Sequence, residues 1–370
     1  MSRARILLAA AALLAAAGLG LACLHAWGRP IQVQTKTELA GVPPELTAIL
    51  YDAALAPNSH NAQSWRVQLD LGEQRLDLGI DPKRRLAVVD AMDREAYLSL
   101  GCYLANLELA LEAYGYGYQL SWAEDEAAAY LVSVRWSKVK EAEPEALEAL
   151  EALLHKRHTD KRPFEQRAIA PEVMERLTGP AVYGYAAGSE GFAYLQGQMA
   201  EAVKQQAQDQ AYRDELAQWL RFSDQEALTA QDGLPAEQLG LAGLAKTFYY
   251  GTTDAQSARG DKFAQQGVDL AVKQAAGCGA LLVFTGQEGP REWIETGRLL
   301  EQTWLACTEA GLSVQPMSAL LEQADLRGEA QAALGLTQPL QAILRLGYTA
   351  DYGAQNGIRR DLDQYVTVIP

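Results

Sequence analysis

Cysteine and histidine are scarce in this chain, with four of each in 370 residues. Cys23, Cys102, Cys278 and Cys307 are far apart, and no two form the short-spaced pair that a zinc site or a redox dithiol needs. All four sit in apolar stretches, the usual setting of buried thiols. His25, His60, His155 and His158 have no carboxylates at metal-ligand spacing, so no metal site is expected. Positive charge is also short. Thirty-two Lys and Arg stand against 47 Asp and Glu, a net charge of -15 that argues against a general affinity for nucleic acid. No Gly-x-Gly-x-x-Gly follows a strand pattern, so a dinucleotide-binding Rossmann domain is not expected. The nearest approach to a phosphate loop is Gly240 to Thr247. It has Ala245 where the second glycine belongs and no apolar strand ahead of it, and it reads as helix.

One long apolar run is present. After Arg3 and Arg5, Ile6 to Leu24 carries no charge and approaches the ~20 residues that cross a bilayer as a helix. The two arginines favour an inside N-terminus. The expectation is a membrane anchor or signal over residues 1–27, then a polar tether over 28–44. This predicts a single-pass inner-membrane protein with its folded part on the periplasmic or extracellular side. The alternatives are an exported soluble protein and a lipoprotein processed at Cys23.

Against the acidic background, Lys156-Arg157-His158-Thr159-Asp160-Lys161-Arg162 stands out. It ends an amphipathic helix that starts at Pro144 and carries Leu147, Leu150, Leu153 and Leu154 on one face. Arginine offers a planar fork of donors, lysine a compact charge and threonine a hydroxyl, the set that suits a phosphate monoester. Cations also favour a helix C-terminus without any ligand. Upstream, Pro57-Asn58-Ser59-His60-Asn61-Ala62-Gln63-Ser64-Trp65 packs small polar residues between a helix and the strand Arg66 to Leu69. Its amides can read the edge of a planar heterocycle, or can simply form a turn.

Together these motifs resemble the FMN-dependent nitroreductases. Arg157, Thr159 and Lys161 match that family's phosphate signature. Pro57, Ser59, Asn61, Gln63 and Trp65 match its ring loop, with Ser64 at the usual proline. The ring loop precedes the phosphate signature, the wrong order for one subunit of the homodimeric family. The chain is therefore similar to the family's fused-dimer, Acg-like branch, to which Asp81 to Leu86 and Asp90 to Gly101 also correspond. An internal repeat agrees with fusion: an apolar helix pattern ends at Gly115, and another ends at Gly311.

The resemblance implies an α+β, nitroreductase-like fold of two degenerate halves fused into one pseudo-dimer. The first half is expected over 45–140. The second is expected over 141–370, with a helical lid over about 192–273 that includes Phe248, Tyr249 and Tyr250. It implies one FMN per chain in a monomer, and a small-molecule substrate or electron donor. Hydride would pass through flavin N5 to a small acceptor, with no catalytic side chain named. Arg157, Thr159, Lys161, Arg359 and Arg360 are expected around the phosphate. Ser59, Asn61 and Gln63 are expected at the ring, and Pro316, Met317 and Ser318 along the flavin. Arg84 and Arg85 are placed outside the phosphate site. The alternative is a flavin-binding or storage protein with an occluded site and no turnover.

Overall fold

A computed structural model describes residues 28–31, 35–353 and 357–369. Strand β1 (Trp65–Asp70) alternates buried and half-buried residues, as a sheet with one face on a core requires. A tight turn returns the chain to β2 (Arg75–Ile80), antiparallel and in register from Trp65↔Ile80 to Asp70↔Arg75. Helix α1 (Pro44–Ala54) precedes this hairpin. Helix α2 (Arg94–Ala113), β3 (Tyr116–Trp122) and β4 (Val132–Lys138) follow it.

The second half repeats this topology. Helices α3 (Pro144–Lys156) and α4 (Pro171–Leu177) lead into β5 (Val182–Ala186), and β6 (Ala280–Thr285) pairs with it. After β6 come helix α11 (Pro290–Glu309), β7 (Ser313–Pro316), α12 (Ala324–Ala333) and β8 (Leu340–Gly347). The sheet orders are β3-β4-β2-β1 and β7-β8-β6-β5, antiparallel throughout. The last strand, β9 (Val366–Ile369), crosses back and pairs parallel with β1 of the first sheet. The one large difference lies between β5 and β6. Where β1 and β2 share a tight turn, the second half inserts helices α5 (Glu190–Gln208), α6 (Gln210–Trp219), α7 (Asp224–Ala230), α8 (Gly243–Thr252), α9 (Ala255–Ala258) and α10 (Asp261–Ala276).

Helices α2 and α11 are both twenty residues long and cross at Gly101 and Gly297. The contact is reciprocal. A Cβ on Gly101 would fall 2.0 Å from the carbonyl oxygen of Ile294, and one on Gly297 would fall 2.1 Å from that of Leu98. Each helix ends at a glycine in the left-handed region, Gly115 (φ 78°) and Gly311 (φ 70°), which lets the chain turn into the next strand. A single core runs through the crossing and joins Trp65, Tyr103 and Leu104 of the first half to Leu282, Trp304 and Leu344 of the second. Strand β6 is buried along its whole length because its faces meet two cores. Leu282 and Phe284 face the shared core, whereas Leu281 and Val283 pack with Phe192, Leu195 and Leu320.

The expectation of a transmembrane, inner-membrane protein is corrected. Among the described residues no helix is long and apolar enough to cross a membrane. The two twenty-residue helices bury charged side chains against each other, with Glu108 of α2 paired to Arg298 of α11 at 2.8 Å. The run Ile6 to Leu24 that carried the expectation lies outside the described residues. Residues 28–31 and 35–43 lie on the folded body. The Gly28 carbonyl accepts from the Gly243 amide at 3.1 Å, the Ile31 amide donates to Glu237 at 3.1 Å, and Leu39 and Val42 are buried.

Candidate functional site

The seam between the halves encloses a cavity of about 950 Å³. One wall is the loop after α1. His60, Asn61 and Gln63 all take left-handed backbone there (φ 51°, 50° and 50°), a conformation that non-glycine residues adopt rarely and at a cost. The turn is held by the Ala62 amide on the Ser59 carbonyl (2.9 Å) and the Gln63 amide on Asn58 Oδ1 (2.7 Å). Pro57 to Asn61 face the cavity, joined by Glu95, Ser99 and Cys102 of α2.

The facing wall is the basic turn after α3. Its backbone is extended, and Thr159 bridges Val314 in parallel fashion. Side chains two apart on extended backbone share a side, and Arg157, Thr159 and Lys161 all line the cavity. Asp160 does not line it. It accepts from Arg162 Nε (2.9 Å) and Ser313 Oγ (2.9 Å). Burial alone would raise its pKa, but the adjacent His158 ring (Nε2 at 3.7 Å) and hydrogen bonds from Arg162 and Ser313 hold it well below the usual carboxylate range. Arg345 pins the same turn from behind by donating to the carbonyls of Asp160 (3.2 Å) and Arg162 (2.8 Å).

The cations differ in what they already hold. Arg157 Nη2 donates to the Leu55 carbonyl (2.7 Å), Nε lies 3.1 Å from Glu301, and the guanidinium sits over Trp304 at 4.9 Å. Its Nη1 is buried without a partner, as is Trp304 Nε1. Burial pushes Glu301 up to about 7, against the pull of Arg157 and Asn106. Arg359 lines the cavity, but its guanidinium is engaged by the carbonyls of Ile358 (2.9 Å), Leu55 (3.0 Å) and Ala56 (3.2 Å) and by Asn61 Oδ1 (3.3 Å). Burial and the neighbouring Arg157 bring it down to about 10. Lys161 has no carboxylate within ion-pair distance among the described residues, and burial together with Arg345 lowers it to about 8.

Of the other expected residues, Ser59, Pro316 and Ser318 line the cavity. Ser59 Oγ donates to Glu95, which is also paired with Arg94 (3.2 Å). Met317 points the opposite way, into the second core, because it alternates with Pro316 and Ser318. Gln63 and Arg360 lie behind the loop. The Arg360 amide donates to Gln63 Oε1 (2.8 Å), Arg360 Nη1 donates to the Gln63 carbonyl (3.0 Å), and Gln63 Nε2 reaches the Gln231 carbonyl of the insertion (2.9 Å). Arg84 also ties the loop to the insertion, through the Ala62 carbonyl (2.6 Å) and Asp232. Arg85 lies at the surface with Asp93.

The reading of the sequence missed His60, Glu95, His158, Gln274 and Trp304, all on the cavity wall. His60 and His158 stood inside the two main motifs, and Glu95 inside the matching Asp90 to Gly101 stretch. The roof comes from the insertion, where Leu216, Leu220, Phe248, Phe263 and Leu270 give an apolar surface.

The chain is thus a repeated α+β unit, two antiparallel sheets about a glycine-crossed helix pair, with a cation-bearing cavity on the seam. The sequence profile of the nitroreductase family matches residues 154–348, more than half of the chain, which therefore belongs to the nitroreductase family. The probable NAD(P)H nitroreductase PigM of Serratia sp. is 25% identical over 293 residues, 74% of this chain and 80% of that protein. An uncharacterized protein of Mycobacterium tuberculosis is 22% identical over 320 residues, 79% of this chain and 86% of that protein. Among solved structures, the FMN-dependent nitroreductase NfnB from Mycobacterium smegmatis in complex with NADPH is 16% identical. It covers 58% of this chain and 93% of its own, with a TM-score of 0.37.

Proposed function

We propose that the chain is an FMN-dependent oxidoreductase of the nitroreductase type that binds one FMN per chain on the seam between its halves. The observation that carries this reading is a half-buried lysine with no carboxylate partner among the described residues, next to a buried arginine nitrogen that makes no hydrogen bond. Lys161 faces the cavity without a carboxylate, beside the unpartnered Arg157 Nη1 and the Thr159 hydroxyl. Buried donors rarely lack partners in a finished site, and an ordinary structural cation would have its anion nearby. Arg157, Thr159 and Lys161 would hold the phosphate. Asn61 and the Pro316–Ser318 segment would flank the ring. Arg359 would act indirectly, by fixing Asn61 and the end of α1, and Gln63 with Arg360 would brace the loop.

When bound, the flavin supplies two-electron chemistry by accepting and delivering hydride at N5. The chain contributes binding, orientation and, through the apolar roof, exclusion of water. NAD(P)H is the donor this reading favours, by analogy with PigM. The insertion that roofs the cavity also suits flavin storage without turnover. An absorption spectrum of the purified chain, with flavin stoichiometry, tests the binding. Two flavins per chain, or none after incubation with FMN, would refute it. Bleaching of the flavin by NADPH under anaerobic conditions separates the enzyme from the storage protein.

A further inference from the structure

We infer that His60 is a proton-accepting ligand of the cofactor phosphate, so that FMN binding takes up a proton at this imidazole. The inference rests on the functional reading above. His60 is held in left-handed backbone (φ 51°, ψ 18°) between Ser59 and Asn61, whose own bonds fix the turn. That conformation aims the ring into the cavity, where Nδ1 is buried and makes no hydrogen bond. A polar atom left in this state waits for a partner.

The surrounding charges show which partner. Every acid on the cavity wall is already engaged. Glu95 serves Ser59 and Arg94, and Glu237 is 2.6 Å from Lys246. Among the bases, Arg157 lies against Glu301, Arg359 is engaged by backbone carbonyls, His158 Nδ1 is 2.9 Å from the Lys156 carbonyl, and Lys262 stands exposed to solvent at the rim. Lys161 and His60 are left facing one space with no anion between them. Burial, and then the charge of Lys161, holds His60 neutral, down to about 4. A phosphate dianion set against Lys161 reverses that field and favours the imidazolium. In the window between about 4 and the raised pKa of the complex, binding gains a proton. The dissociation constant then tightens by up to about tenfold for each pH unit that the solution falls.

The test is calorimetric titration of FMN into the flavin-free full chain at about pH 7, in two buffers of different ionisation enthalpy. The same titration is run on His60→Asn, since asparagine tolerates left-handed backbone. The ligand's own proton change is common to both chains, so the difference belongs to His60. The wild-type chain is expected to take up more protons than the variant, by several tenths of a proton. Near pH 9, where His60 is neutral, the two chains should bind within a few-fold of one another, which also shows that the variant folds. Riboflavin, which lacks the phosphate, should show no difference between them. Equal uptake by the two chains overturns the inference alone, as does an equal difference with riboflavin. Failure of the wild-type chain to bind flavin at any pH overturns the functional reading with it.

Discussion

Alanine at Gly101 would place a methyl group where the crossing of α2 and α11 leaves no room. Its Cβ would lie 2.0 Å from the Ile294 carbonyl oxygen and 2.8 Å from Gly297 Cα. Carbon and carbonyl oxygen settle at roughly 3.3 Å or more, so the helices must part by about 1 Å. Overpacking of a core costs roughly 1–3 kcal/mol, and the upper end applies because both obstacles are backbone. Gly101→Ala should therefore cost about 3 kcal/mol, and Gly297→Ala about the same, since its Cβ meets the Leu98 carbonyl oxygen at 2.1 Å. One separation relieves both contacts. The double variant should cost little more than either single one, a coupling of about 2–3 kcal/mol where distant sites add to within ~0.5. Urea unfolding followed by tryptophan fluorescence measures all four chains. Gly197→Ala on α5 is the control, because its Cβ meets open space and should be neutral or mildly stabilising. Additive costs at Gly101 and Gly297, or single costs no larger than that of the control, would refute the reasoning.

Other outcomes are expected from the same structure. Lys161→Ala should weaken FMN binding by about one to two decades, the worth of a charge-assisted hydrogen bond of roughly 1.5–3 kcal/mol. Arg85→Ala should leave it unchanged in a fluorescence titration, because Arg85 is occupied with Asp93 at the surface. Asp52 is pushed up to about 7, first by burial and then by Glu151, so the native state holds its proton more tightly than the unfolded chain. Its contribution is present below about pH 4 and is lost as pH rises through 7. Asp52→Asn should flatten this fall between about pH 4 and 7 by ~1–2 kcal/mol in chemical denaturation, a figure discounted because the side chain is partly exposed. Lys246 is fully buried between Glu237 (2.6 Å) and Asp224 (2.8 Å). Lys246→Met strands the buried Glu237, while the partly exposed Asp224 can turn to water, at a local cost of roughly 3–5 kcal/mol. Limited proteolysis should then cut within 239–252 faster than in the unchanged chain, and an unaltered cleavage pattern would count against it.

The basic turn was readable because its chemistry is local. Arg-x-Thr-x-Lys on extended backbone sends three side chains one way, and that period survives in any context. The repeat of helix, glycine and strand was readable for the same reason, since Gly115 and Gly311 mark sites where only a left-handed residue fits. What each polar side chain would hold was not readable. Gln63 is bound by residues 231 and 360, Asn61 by 358 and 359, and Ser59 by Glu95, partners set by the tertiary fold alone. Met317 was grouped with Pro316 and Ser318 although strand alternation already separates them. The apolar leader suggested a membrane location on composition, and nothing in the described helices supports it. The return of β9 to β1 has no local signature.

That return of β9 has a consequence for how the protein is made. Val366 pairs beside Val67, so the first sheet waits for a strand far downstream in the sequence before its edge is covered. During synthesis β1 stands as an open edge, with backbone donors and acceptors facing outward, while the second half is still being translated. Such edges invite pairing with other chains, and contacts this distant in sequence form slowly. A chain that stops short of Val366 keeps both halves of the cavity wall but leaves β1 uncovered. Its fate is set by aggregation rather than by loss of ligand contacts. Strand β9 thus hides an edge that every nascent form lacking it exposes.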